Sequence, residues 1–307
     1  MILRKKILFT GGSGLLALNW AIQVCQDFDV VLGLHQREII LNGVESFKIS
    51  LESEIEFSKY VDIIKPDLVV HAAAMTNVDQ CEALPELANK INYEAAKFVS
   101  DVCLKNNIDL IFISTDHLFD GSVSNVSENH VKNPLNCYGR TKSLGEDYIH
   151  FNNPNALIIR TNFYGWGTSY RQSFSDFVID NLRKGKNITL FNDVFYTPIL
   201  IETLVETVME LYLNNAKGIF NVVGNNRVSK LEFGLELANV FGLDIDLIKE
   251  GSIKDNKDLV KRPKDLSLSN SKSNHFLKKE IINLSDQIAM LHDSERNKIS
   301  ILAPNNF

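Results

Sequence analysis

Tyr138 and Lys142 stand four residues apart in Tyr138-Gly139-Arg140-Thr141-Lys142, with Ser114-Thr115-Asp116 upstream. Residues four apart share a helical face, so a phenol and an ammonium would point the same way. Pro134 is a favoured first-turn residue and predicts a helix over 134–150. A phenol ionises near pH ~10 in water, and a fixed cation beside it stabilises the anion and lowers that value. Such a tyrosine can lend or take a proton near neutral pH. The spacing alone is weak, because solvated helices acquire such pairs by chance. Gly139 and Gly145 each cost about 1 kcal/mol relative to Ala in a helix interior. Their presence predicts close packing there, by a neighbouring helix or by a cofactor.

The elements that must position this pair begin at the N-terminus. Lys6–Thr10 is a short apolar run that ends in Gly11-Gly12-Ser13-Gly14-Leu15-Leu16-Ala17, and a helical stripe of Leu15, Leu18, Ala21, Ile22 and Cys25 follows. Strand, glycine turn and helix are the context of a dinucleotide-binding loop. Gly11 permits the tight turn, Gly14 lets backbone approach a diphosphate, and Ala17 is small enough for helix to pack on strand. The helix N-terminus offers free N–H groups and a partial positive charge.

A second strand, 30–34, leads to His35-Gln36-Arg37. An acidic residue there would hold the ribose hydroxyls of NAD. His35 and Arg37 suit a 2′-phosphate instead, so NADPH is expected ahead of NADH, with a plain surface charge the rival reading of Arg37.

A helix is expected over 51–65, then a strand over 68–70 ending in His71-Ala72-Ala73-Ala74. Small residues at a strand end leave space for a flat ligand. His71, single on an apolar strand, reads as structural. An amphipathic helix over 86–106 and the strand 110–113 follow, and the latter delivers Ser114-Thr115-Asp116. Near-continuous apolar strands alternating with helices specify an α/β fold, a Rossmann-like doubly wound parallel sheet. Its ligands bind at the carboxyl ends of the strands, which gathers the glycine loop, Ala72–Ala74 and Thr115 on one edge. Strand 156–160 completes this part.

Beyond residue 165 the texture turns mixed, with helices expected at 173–184, 199–213, 229–241 and 284–292 and a strand at 218–224. We therefore expect a dinucleotide-binding domain over 1–164, rejoined by about 192–222, and a smaller, discontinuous mixed α/β substrate domain over 165–307.

Composition narrows the function classes. The chain has 307 residues, 45% hydrophobic and 23% charged, with a net charge of −6. The acidic balance argues against nucleic acid or an anionic membrane as partner. No apolar run approaches the ~18–20 residues that span a bilayer. The start Met1–Lys6 lacks the pattern of a signal peptide, so a cytoplasmic location is expected. Cys25, Cys81, Cys103 and Cys137 form no C-x-x-C pair, which argues against metal and against a disulfide framework.

Taken together, these residues resemble the extended short-chain dehydrogenase/reductase family over essentially the whole chain, and within it the dTDP-4-dehydrorhamnose reductases most. The carrying stretches are Thr10–Gly14, His71–Asp79 with Glu82, Ser114–Gly121, Glu128, Pro134, Tyr138–Lys142 with Gly145-Glu146, Arg160-Thr161 and Arg262-Pro263.

The resemblance implies Thr115, Tyr138 and Lys142 as the catalytic set of a reductase acting on a 4-keto-6-deoxy nucleotide sugar. Hydride would pass from nicotinamide to the ketone, with Tyr138 as general acid and Thr115 bonded to the carbonyl oxygen. Lys142 would stabilise the phenolate and hold the nicotinamide ribose. It further implies cofactor contacts at Gly11, Ser13, Gly14, Leu15, His35, Arg37, Ala72, Ala73 and Ala74, besides Tyr138 and Lys142. Substrate contacts would come from Thr76, Val78, Asp116, His117, Phe163, Tyr196 and Arg262. A nucleotide sugar is the expected partner, and a homodimer is left open.

Departures from the family pattern leave the sugar and its carrier undetermined. His117 stands where Tyr is usual, Phe163 where Trp is usual, and Tyr196 and Ile199 where Gly and Thr are usual. Two rivals stand beside the reductase. A nucleotide-sugar dehydratase would need Glu in place of His117, and an epimerase would favour an acidic residue after the second strand. A regulatory subunit like the β subunit of methionine adenosyltransferase would need no intact Thr115/Tyr138/Lys142 set.

Overall fold

The computed structural model describes residues 4–256 and 259–301, so Met1–Leu3 and the last six residues lie outside it. The first strands alternate with helices as the apolar pattern requires: β1 Lys6–Thr10, α1 Leu15–Val24, β2 Asp29–Leu34, β3 Glu45–Lys48, α2 Glu54–Ile64 and β4 Leu68–His71. Next come α3 Val78–Ala83, α4 Pro85–Asn89, a π-helical turn Lys90–Glu94, α5 Ala95–Lys105, β5 Asp109–Ile113, α6 Cys137–Asn152 and β6 Leu157–Arg160.

Among the described residues, one sheet runs in the order Gly218–Asn221, β6, β5, β4, β1, β2, β3, with every pairing parallel. The order reverses between β1 and β4, which opens a crevice at the strands' carboxyl ends.

Alternate residues of each strand feed the two faces. Leu8, Val31, Val69, Phe112 and Ile158 meet Phe57 and Val61 of α2, Val99 and Val102 of α5 and Ile149 of α6. Ile7, Phe9, Leu32, Val70, Ile111 and Ile159 meet Trp20 and Ala21 of α1 and Leu204 and Val208 of a later helix. That second core continues without a break to Leu190, Tyr196, Phe233 and Leu237, so the segments beyond 165 share the sheet's own apolar face.

Those segments comprise α7 Phe174–Arg183, α8 Ile201–Leu213, α9 Lys230–Val240, α10 Ser271–Leu277 and α11 Leu284–Ile301. Of the stretch 192–222, Gly218–Asn221 joins the main sheet and α8 packs on α1. Phe195–Tyr196 instead pairs antiparallel with Val228–Ser229 outside the main sheet.

Two expectations are corrected here. The single helix over 86–106 is broken into α4, the π turn and α5. The extra residue per turn has a visible use, as π turns often do at functional sites. Buried Asn92 accepts from Met75 N at 2.8 Å and donates to Thr141 Oγ1 of α6 at 3.1 Å, tying the loop after β4 to α6. The helix expected from Pro134 begins at Cys137, because the Asn136 side chain accepts from Gly139 N at 2.9 Å and caps it there.

The glycines of α6 are explained by protein rather than by a cofactor. A Cβ on Gly145 would lie 2.8 Å from the Asn92 carbonyl oxygen, and one on Gly139 would strike the His117 carbonyl oxygen.

The same helix carries a buried carboxylate. Glu146 has no exposed surface; Arg160 of β6 donates to it at 2.7 and 3.1 Å, Ser114 at 2.6 Å and Lys132 at 3.2 Å. Burial alone would raise its pKa. The Arg160 hydrogen bonds and charge, with Lys132 and Ser114, outweigh that and hold the carboxyl below its ordinary value.

Gly145→Val should force α6 away from the π turn and cost about 1–3 kcal/mol, read as a lowered urea midpoint. Glu146→Gln should cost about 3–5 kcal/mol, since it leaves buried Arg160 without its counter-charge. A depressed carboxylate contributes stability above its unfolded pKa and loses it as pH falls through the lower folded value. Urea midpoints measured from neutral to acid pH should therefore fall more steeply in the wild type than in Glu146→Gln.

Candidate functional site

Strand β5 ends at Ile113, and Ser114 N bonds to Ile159 O of β6 at 2.7 Å, so the chain leaves the sheet with Thr115, Asp116 and His117 at the crevice. The first turns of α6 cross the same point with Tyr138 and Lys142, both buried. Thr115 stands beside the Tyr138 phenol, and its hydroxyl favours the ionised form; the same hydroxyl donates to Asp116 Oδ1 at 3.2 Å and accepts from His117 N at 3.2 Å. The Lys142 ammonium donates to Ile113 O at 2.6 Å and lies 4.3 Å from the centre of the Phe112 ring.

The electrostatics correct one expectation. Burial pushes the Tyr138 phenol up from its ordinary value; the Thr115 hydroxyl pulls the other way, and the charges acting on it are those of Asp116, Cys81 and Arg171. Lys142 does not lower it, for two physical reasons. Its ammonium is engaged with Ile113 O, and burial brings its own pKa down to about 7, a fall only partly offset by Glu146. The phenol is therefore held protonated.

The loops after β1 and β4 are locked together. Gly11 takes φ +70°, and a Cβ there would come within 2.8 Å of Ala73 Cα. Thr10 Oγ1 bonds His71 Nδ1 at 2.7 Å and accepts from Ala73 N at 3.4 Å. His71 is buried, stacked on Phe112 with centroids 5.8 Å apart, and brought down to about 3 by burial and then by the Lys142 charge. It is neutral and structural.

Helix α1 starts at the N-cap Gly14 with no side-chain cap and no acidic residue in its first turn, which leaves its N–H groups for an anion beside Ser13 and Leu15. Tyr170 reaches over this loop, donating to Ser13 O at 3.1 Å, and Arg37 stacks on the Tyr170 ring at 3.7 Å. Arg37 and His35 are exposed at this end, while Ala72–Ala74 line the crevice as partly buried residues. Together these residues fit a dinucleotide diphosphate with a phosphate on its adenosine ribose.

The sequence-derived substrate residues separate into groups. Asp116 is buried and accepts from Thr115 Oγ1 at 3.2 Å and from Asn162 Nδ2. His117 stands edge-on to Tyr138 with ring centroids 5.4 Å apart, and its Nδ1 is buried without a partner. Burial lowers its pKa; the Asp116 charge opposes this, and Arg262 and Lys230 add to it. Arg262 pairs with Asp79 at 2.6 Å.

Tyr196 is buried with an unpartnered hydroxyl. Burial pushes its phenol far up, with the Tyr164 and Asp116 charges adding to the rise. Val78 packs with Cys81, Cys137 and Tyr138. Thr76 lies at the mouth, its hydroxyl 2.5 Å from Arg171 Nη2. Phe163 packs against the main apolar core.

Three residues escaped the sequence reading: Asn162, Arg171 and Lys230. Lys230 places its ammonium 3.3 Å from the centre of the Tyr196 ring. Its only local signal is Ser229-Lys230-Leu231-Glu232, a capping box that fixes it in the first turn of α9. Arg171 lies in an irregular stretch with no periodic signal. Among the described residues no cluster could hold a metal ion, and no helix is long and apolar enough to cross a membrane.

Comparison with known proteins agrees with this geometry. The model of the RmlD substrate binding domain matches residues 5–296. The probable low-salt glycan biosynthesis reductase Agl14 of Haloferax volcanii is 30% identical over 259 residues, covering 83% of this chain and 86% of its own. Methionine adenosyltransferase 2 subunit beta of Mus musculus is 27% identical over 278 residues, covering 87% and 81%. The dTDP-4-dehydrorhamnose reductase of Bacillus anthracis, solved in complex with NADP, superposes with a TM-score of 0.85 at 20% identity, over 95% of this chain and all of its own. The chain belongs to the RmlD substrate-binding-domain family.

Proposed function

We propose that this member of the RmlD substrate-binding-domain family reduces the ketone of a 4-keto-6-deoxy nucleotide sugar with NADPH. The observation that carries the reading is the gathering of buried Thr115, Tyr138 and Lys142 at the crevice, with the phenol held protonated one helical turn from Lys142. A reductase needs a proton donor at the carbonyl oxygen, and a buried, protonated phenol is one. NADPH supplies the hydride. The chain's own part is to orient the ketone between Thr115 and Tyr138, exclude water, and release the Tyr138 proton as charge grows on that oxygen.

Lys142 would hold the cofactor ribose and, when charged, stabilise the phenolate left behind. Gly11, Ser13, Gly14 and Leu15 would cradle the diphosphate, Ala72–Ala74 would lie along the nicotinamide side, and His35 and Arg37 would receive the 2′-phosphate. Thr76, Val78, Asp116, His117, Phe163, Tyr196 and Arg262 would meet the nucleotide sugar. The segment 1–164 with the strand Gly218–Asn221 would form the dinucleotide-binding part, and the remainder would cover the substrate.

Two alternatives are weaker. The dehydratase reading lacks a carboxylate at position 117, and the epimerase reading lacks an acidic residue at positions 35–37. The adenosyltransferase subunit likeness makes a scaffold role the contrasting reading. NADPH oxidation with any of a panel of 4-keto nucleotide sugars supports the reductase; no oxidation, with co-purification of a large partner, would support the scaffold.

Tyr138→Phe should cut kcat by about 10²-fold or more while the cofactor still binds; near-normal turnover would end this mechanism. Arg37→Ala should raise KM for NADPH and leave KM for NADH little changed, and a wild type that strongly prefers NADH would refute the 2′-phosphate role.

A further inference from the structure

Several residues proposed above to meet the substrate carry polar atoms that the protein itself does not engage. His117 Nδ1, the Tyr196 hydroxyl and Arg262 Nε are all buried with no hydrogen-bond partner. To them the fold adds Lys230, partly buried, whose ammonium rests on the Tyr196 ring at 3.3 Å and lies 4.5 Å from the centre of the Phe174 ring. Among the described residues its ammonium donates no hydrogen bond, while its backbone N–H donates to Val194 O at 3.0 Å. Burial lowers its pKa to about 7, against the pull of the Asp116 charge. An ammonium supported by two aromatic rings, with its N–H groups unspent, is built to meet an acceptor that arrives from outside.

The acceptor can be identified from the neighbours. Both Lys230 and Arg262 act on His117, so two cations bear on the ring. Arg262 is already bound to Asp79 on its own flank, at a partly exposed position suited to the charged part of a nucleotide sugar. Lys230 rests instead on the Tyr196 and Phe174 rings. The chain that carries Tyr196 runs on to Ile199, whose N–H donates to Asn162 O at 3.0 Å, and Asn162 and Thr115 both donate to Asp116, whose charge acts on Lys230; Lys230 therefore belongs to the end where the ketone would react. Asp116 balances its charge, and its carboxylate oxygens already accept from Thr115 and Asn162. With the Asp116 charge acting on it, the ammonium suits a hydroxyl oxygen better than a second carboxylate.

We infer that Lys230 is a specificity residue that grips the sugar ring, donating to a hydroxyl of an uncharged hexose whose carbonyl lies at Thr115 and Tyr138. The inference rests on the nucleotide-sugar reading above and goes beyond it by naming the residue and the sugar class. Tyr196, in the place where the family usually has glycine, is the platform that sets the ammonium at this height.

The test separates sugar from diphosphate by equilibrium binding, independently of turnover. Wild type, Lys230→Met and Lys230→Arg are titrated with dTDP-glucose, UDP-glucose and GDP-mannose, each against its free nucleoside diphosphate, and with UDP-glucuronate. For the nucleotide sugar that the wild type binds best, Lys230→Met should weaken binding about tenfold, the effect of one charge-assisted hydrogen bond. It should leave the matching nucleoside diphosphate within about twofold, and Lys230→Arg should restore most of the loss.

Equal weakening of both ligands would assign the ammonium to the diphosphate and overturn the inference. No weakening of either would overturn it too. A wild type that prefers UDP-glucuronate, with the preference lost in Lys230→Met, would overturn the uncharged-sugar assignment. Thermal melts of both variants identify a loss caused by unfolding: a Lys230→Met protein that melts well below wild type and is rescued in melting but not in binding by Lys230→Arg would make the lysine structural. Binding that follows the expected pattern without any NADPH oxidation would instead refute the reductase reading and leave the sugar grip standing.

Discussion

A carboxylate with no exposed surface, Glu146, sets the geometry on which the rest depends. Tyr138, Lys142 and Glu146 are spaced by four, so one face of α6 carries the proton donor, the ammonium and the anchor. The anchor is bound to the ends of two strands at once, through Ser114 after β5 and Arg160 in β6. Arg160 has a further acceptor in the Glu128 carbonyl, and Glu128 in turn receives Asn221 N from the edge strand. Isolated in a dry interior such a carboxylate would cost several kcal/mol, so its counter-charges cannot be released one at a time. Helix α6 is thereby fixed against β5, β6 and the neighbouring strand, and Tyr138 cannot drift from Thr115 without disturbing that cluster.

The same burial that makes the anchor rigid sets the resting charge of the site. Tyr138 stays protonated, His71 and His117 are pushed toward neutrality, and Lys142 and Lys230 are both brought to about 7. Desolvation, first among the causes for each, disfavours every charged form. A site of this kind is weakly charged until a ligand supplies counter-charge. The order matters for a proton donor: the phenol must keep its proton until negative charge appears on the substrate oxygen, and only then does a nearby cation become useful. Sequence reasoning weighed the cation and omitted the burial, which is why it gave the wrong sign for the resting phenol.

How much was legible follows the range of the interactions. Strands β1, β2, β4, β5 and β6 announce themselves as apolar runs buried on both faces, and the glycine loop and the Tyr138–Lys142 spacing are local, so all were readable. Strand β3 was missed because its residues are mostly exposed and carry no apolar period. The two-residue strands at 163–164, 195–196, 199–200 and 228–229 are too short to have a period at all. The start of α6 was placed at Pro134 by propensity, whereas a side-chain cap at Asn136 decides it. Asn92 and Lys230 were invisible for a different reason. One acquires its role from a π turn that no spacing rule signals, and the other from the pairing of Val228–Ser229 with Phe195–Tyr196.

This division by range is also a division by task. The residues placed nearest the reacting bond, Thr115, Tyr138 and Lys142, sit on elements whose positions are set by the sheet and by Glu146, and the Thr115 and Lys142 side chains are hydrogen-bonded to the protein. Two of the residues proposed to meet the sugar, Tyr196 and Lys230, hang instead from a short strand and a helix start that the shared apolar core beyond residue 165 supports. A change in that second group alters which polar groups face the crevice without moving α6 or β5. Tyr196 illustrates the point: its ring packs edge-on with Phe233, centroids 5.8 Å apart, and also supports the Lys230 ammonium at 3.3 Å. One aromatic side chain thus serves packing and recognition together, so substrate choice can vary here only through side chains that also satisfy the core.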